Sequence, residues 1–134
     1  MVKNNWKDKW YIKIYSKENG EGKYWDFWTA NHILGGAVLA GIFFLLNIEF
    51  WASLITSLLI IILWEIFEVV QKIHEHAENR MVDVITGLFG YFTMHYIIKC
   101  QLLEPTTLFL IILSLCIILN IWGRISYTIR SKKS

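Results

Sequence analysis

The chain has 134 residues, 55% hydrophobic and 16% aromatic, with a formal net charge of +2 and a single proline. Its long uncharged stretches exclude an ordinary soluble domain, and a chain this short leaves no room for one beside a membrane part. No nucleic-acid partner is expected. The elements in chain order predict an all-α, integral membrane four-helix bundle.

Residues 1–27 form an N-terminal arm with six lysines (Lys3, Lys7, Lys9, Lys13, Lys17, Lys23) among aromatic residues. The stretch from Trp6 to Tyr15 mixes Lys with Trp, Tyr and Ile, which suits an anionic membrane surface. It suits equally a topology signal with aromatic anchors. No cleavable signal peptide is expected, because the first apolar run starts only near residue 30 and is long enough to span.

The transmembrane domain is expected over residues 28–123. A helix of about 20 mostly apolar residues crosses the hydrocarbon core. Four stretches meet that need: 29–47, 50–72, 82–99 and 105–123. Tyr24, Trp25, Phe27 and Trp28 mark the entry of the first, Phe50 and Trp51 that of the second, and Trp122 and Tyr127 the exit of the fourth, as ring side chains favour the interface. Pro105 suits the first turn of the fourth helix, where its missing N–H is not needed. Residues 124–134 form a basic tail. Cys100 and Cys116 lie at different depths, so no disulfide between them is expected.

Orientation follows from the Lys and Arg residues. The arm, the loop with Lys72 and Arg80, and the tail with Arg124, Arg130, Lys132 and Lys133 all fall at one end. Lys99 alone of the 13 falls at the other. Cytoplasmic flanks carry the basic excess, so both termini are expected in the cytoplasm and the chain in the plasma (inner) membrane.

Ionisable side chains within membrane helices are costly and face the bundle interior. The candidates are His32, Glu65, Glu68, Asp83 and His95. At about 1.5 Å rise per residue, the first four lie at a similar depth near the basic end. His32 shares its face with Gly35, Gly36 and Ala40, and Asp83 shares its face with Thr86, Gly87 and Gly90. Small residues of this kind let membrane helices approach closely. Glu65 and Glu68 are expected on one face of the second helix. The fourth helix shows no such face and reads as lipid-facing or bracing.

Three carboxylates and an imidazole at one place need protonation or a counter-ion. A divalent cation, Mg²⁺, Ca²⁺, Mn²⁺ or Zn²⁺, fits an oxygen-rich site, and the imidazole favours Mn²⁺ or Zn²⁺. Arg80 offers charge compensation and a phosphate or head-group contact. A purely structural cluster, holding three helices by hydrogen bonds, accounts for the same residues. A proton or ion path is disfavoured, because the acids do not extend across the bilayer. His95 is expected to make an interhelical or interfacial hydrogen bond. His74, Glu75, His76 and Glu78 in the loop 71–81 read as a solvated helix extension.

The run Trp64-Glu65-x-Phe67-Glu68-x-x-Gln71, then Arg80-x-x-Asp83, then Gly87-x-x-Gly90, resembles the VanZ-like proteins and related small multi-pass bacterial membrane families with a WExxE-type helix. The likeness covers residues 26–98. It departs from the VanZ pattern at Thr86, where Asn is usual nearby, and in lacking a Pro before Arg80. The resemblance implies a cell-envelope membrane protein with His32, Glu65, Glu68, Arg80 and Asp83 as functional positions, and implies no particular reaction.

Three functions are open at this point. One is an envelope protein that binds a lipid head group, a lipid-linked precursor or a cation. Another is a metal-dependent enzyme acting on a lipid phosphate, with His32, Glu65, Glu68 and Asp83 as catalytic or metal-holding groups. The third is an accessory subunit with a membrane protein partner.

Overall fold

The structure is a computed structural model, and it describes residues 27–70 and 77–131. The arm from 1 to 26, the residues Gln71 to His76 and the last three residues lie outside the described part. The expectations for the arm (membrane-surface contact or topology signal) and for His74 and His76 (a solvated helix extension) therefore fall outside the described residues.

Four helices run in sequence: α1 (Phe27–Leu45), α2 (Phe50–Val70), α3 (Ala77–Lys99) and α4 (Pro105–Ser131). All four are long and apolar enough to cross a membrane, and together they make an all-α four-helix bundle. The 21 residues of α2 extend about 31 Å, the thickness of the hydrocarbon core. This is a multi-pass membrane protein.

Two boundaries differ from expectation. Helix α3 begins at Ala77 rather than near 82, taking in part of the expected loop. Its first turn carries Glu78 and its last Lys99, each matched to the partial charge of that helix end. Helix α4 continues to Ser131 and absorbs most of the expected tail, since nothing between 124 and 131 is a strong breaker.

The α1–α2 and α3–α4 connections are built alike. Asn47 and Gln101 adopt positive φ, 54° and 52°. At the first, the Asn47 N–H donates to the Phe44 carbonyl and the Ile48 N–H to Phe43. At the second, Gln101 N–H donates to Ile98 and Leu102 N–H to Ile97. This paired pattern satisfies carbonyls left open at a helix C-terminus. A glutamate then caps each following helix. Glu49 Oε2 accepts the N–H groups of Trp51 and Ala52 at 2.9 and 3.1 Å. The Glu104 carboxylate accepts those of Thr106 and Thr107 at 3.1 and 2.6 Å. Those N-terminal hydrogen bonds hold the Glu104 carboxyl well below its ordinary range, down to about 2.

Helices α1 and α3 share the most extensive contact; α4 lies against α1, and α2 against α3 and, less, α1. The α1–α3 crossing depends on glycine. A Cβ on Gly36 would collide with the Gly87 carbonyl, and one on Gly90 with the Ile33 carbonyl. Gly35, expected on the same packing face, has open space beside it. Beyond the crossing, towards the two connections, Ala37, Ala40, Tyr91, Met94, Ile98 and Leu108 form an apolar core, with Phe50, Leu54, Phe109 and Ile112 against it.

Helix α4 braces α1 through an inward face of its own, which the sequence reading left unresolved. Leu108 and Gly123 are buried, and Phe109, Ile112, Cys116 and Asn120 are half-buried between them. Asn120 Nδ2 donates to the Cys116 carbonyl at 2.9 Å and, at 3.4 Å, to Asn31 Oδ1 on α1. The spacing follows the three- and four-residue steps of a packed helix. Both cysteines are free thiols.

Candidate metal centre

On α2, the fully buried residues are Ser53, Ser57, Ile61 and Glu65, one row at four-residue steps. This row faces α1 and α3: Ile61 covers Gly87, and the Ser53 and Tyr91 hydroxyls lie 2.5 Å apart. Side chains on a helix lean towards its N-terminus. Glu65 on α2 and Asp83 on the antiparallel α3 therefore lean towards each other's level, and His32 of α1 enters between them.

The imidazole bridges the two acids. His32 Nδ1 is 3.6 Å from Glu65 Oε1, and Nε2 is 3.8 Å from Asp83 Oδ2. One donor atom from each of the three residues lies within 4.8 Å of the others. Asp83 is almost wholly buried, its side chain 1% exposed, against 12% for His32. Both gaps exceed a hydrogen-bond length.

Asn79, one turn before Asp83, is completely buried, and its Nδ2 donates to Asp83 Oδ2 at 3.0 Å. Thr86 Oγ1 donates to the Asp83 carbonyl at 3.2 Å. Asn79 was missed in the sequence because it precedes the apolar run. The i, i+4 spacing of Asn79 and Asp83 was the available signal.

Glu68 and His95 are not among the three donors that meet. Glu68 does not share the buried row with Glu65. Its Oε1 accepts the Trp64 indole N–H at 2.7 Å on the side where Trp64 and Phe67 are exposed. Three residues turn a helix through about 300°, so Glu68 sits some 60° off that row, half-buried at its edge. Arg80 is half-buried, one turn before Asp83. His95 stacks on the Tyr91 ring and tilts against Phe50, with centroids 6.3 and 4.7 Å apart.

One nitrogen and two carboxylate donors, in a site shielded from water by three helices, suit a hard or borderline divalent ion such as Mn²⁺, Mg²⁺ or Zn²⁺. Comparison with protein-family models, with curated proteins and with solved structures gives no match.

Proposed function

We propose that this chain is a cell-envelope membrane protein that holds a divalent cation in the cluster formed by His32, Glu65 and Asp83 and uses it to bind a lipid head group or lipid-linked precursor. The observation that carries this reading is the meeting of three metal-type donors from three different helices within 4.8 Å. A cation placed here would balance the two carboxylates and tie α1, α2 and α3 together. The concentration of Lys and Arg at the same end supports cytoplasmic termini and a site near the cytoplasmic leaflet. The motif likeness to VanZ-like proteins supports an envelope setting.

Thermal unfolding of the purified protein in detergent, with chelator and then with Mn²⁺, Mg²⁺ or Zn²⁺, tests the reading. An ion that binds only the folded state at 100 times its Kd adds about 2.7 kcal/mol. That gain is expected for the wild type and not for His32→Ala or Asp83→Asn. Equal melting with and without each ion refutes it.

Metal-dependent chemistry on the bound phosphate is the second reading, favoured by the half-buried Arg80 one turn from Asp83, where a guanidinium would clamp phosphate oxygens. Metal-dependent release of phosphate from a lipid phosphate by purified protein, lost in Asp83→Asn, separates it from binding alone.

A further inference from the structure

We propose that the three residues of the cluster do not act alike: His32 Nε2 and Asp83 are the metal ligands, Glu65 and Asn79 orient them, and the remaining positions on the ion take phosphate oxygens. This rests on the cation reading above and assigns its roles and its ligand. The two imidazole nitrogens face different acids, Nδ1 towards Glu65 and Nε2 towards Asp83. A single ion takes only one nitrogen of a given ring, so only one acid stands beside that nitrogen. The other acid is left facing the opposite edge of the ring.

Asp83 is the better ligand. It is the most buried acid of the pair, and Asn79 fixes its carboxylate by donating to Oδ2. Glu65 comes from α2, the helix with the sparser packing onto the α1–α3 pair. Facing Nδ1, it accepts the N–H of the neutral imidazole when the gap closes, which fixes the tautomer that leaves Nε2 free for metal. Histidine ligands characteristically donate their second N–H to a carboxylate in this way, and the metal-bound carboxylates are themselves hydrogen-bonded. Each ligand here has such a supporting residue: Glu65 for His32, Asn79 for Asp83.

Two protein donors leave most of a coordination shell open. Ions held by one or two carboxylates usually complete their shell with water and phosphate oxygens. Phosphate is the exogenous ligand such an ion would accept, with water alone as the alternative that the test below distinguishes. Both a lipid head group and free phosphate present that chemistry.

The test is Mn²⁺ titration followed by electron paramagnetic resonance, with folding checked by circular dichroism and size-exclusion profile. The variants are Glu65→Gln, Asn79→Ala and Asp83→Asn. Loss of a supporting residue costs about 10–100-fold in metal affinity, so that loss is expected for Glu65→Gln and Asn79→Ala, while Asp83→Asn abolishes binding. Glu65→Gln as severe as Asp83→Asn makes Glu65 a direct ligand and overturns the division of roles. Absence of Mn²⁺ binding by the wild type removes the underlying cation reading instead. Phosphorus hyperfine coupling to the bound Mn²⁺ is then measured in phosphatidylglycerol nanodiscs and, separately, in phosphorus-free maltoside micelles with inorganic phosphate. Coupling in the nanodiscs assigns a head group, and coupling only in the micelles assigns free phosphate. Coupling in neither overturns the phosphate assignment.

Discussion

The two halves of the bundle on either side of the glycine crossing are held together by different physics. Towards the connections, Ala37, Ala40, Met94, Ile98 and Leu108 are buried against one another, with the Ser53 and Tyr91 hydroxyls in contact beside them. Towards the start of α1, the buried positions are Thr29, Glu65, Asn79, Asp83 and Thr86, with His32 among them. In a bilayer the apolar half gains from close packing, because lipid is as apolar as the side chains. The polar half gains only if its charges are compensated. One half is held by apolar packing, and the other carries the ionisable groups on which the proposed cation reading rests. Functional sites commonly break the local rules that the rest of a fold obeys.

The crossing itself should be the most sensitive point, since both halves hang on it. Gly36→Val puts a branched side chain where even a Cβ meets the Gly87 carbonyl. Because the obstacle is backbone, the helices must separate, and a loss of about 3 kcal/mol or more is expected. Steric-trap or denaturant unfolding in detergent measures it. A loss below about 1 kcal/mol would mean that the two halves are not coupled through this contact.

The halves should next separate on truncation against neutralisation. Met94, 2% exposed in the apolar half, should cost about 2–4 kcal/mol as Met94→Ala, with or without divalent ions. Asp83→Asn in chelator should cost only about 1 kcal/mol, because relief of repulsion from Glu65 offsets a weakened hydrogen bond from Asn79. Its larger effect should be to erase stabilisation by added cation. If Asp83→Asn in chelator costs as much as Met94→Ala, the cluster is a structural hydrogen-bonded unit and the contrast fails.

How far the sequence revealed these halves depends on what each kind of signal can carry. Spanning helices were legible because length and lack of charge suffice. The meeting of His32, Glu65 and Asp83 was legible because depth is linear in residue number and buried charges have few places to go. Glu68 was placed with Glu65 by its i, i+3 spacing; it sits half-buried at the edge of that face, bonded to Trp64, and is not among the three donors that meet. Asn79 was hidden because an uncharged amide outside the apolar run looks like loop. The inward face of α4 was hidden because Leu, Ile and Cys serve lipid and protein contacts equally well. Its Asn120 and Gly123 were the marks that told them apart.

The smallest effect belongs to the capped connections, which lie outside the contrast and so serve as its baseline. Glu104 accepts backbone N–H groups at the start of α4, and its pKa in the folded protein falls from 4.5 to about 2. A depressed carboxylate stabilises the fold fully above its unfolded value and loses that contribution as pH falls through the folded value. Stability from this cap should therefore be present at neutral pH, decline below about 4.5 and vanish below about 2. Glu104→Gln should lower the melting temperature slightly at pH 7, and the difference from wild type should close as the pH is taken to 2. Added Mn²⁺ should leave that difference unchanged, in contrast to every substitution in the polar half. A Glu104→Gln difference that stayed constant between pH 7 and 2 would show that the carboxylate charge contributes nothing to the cap.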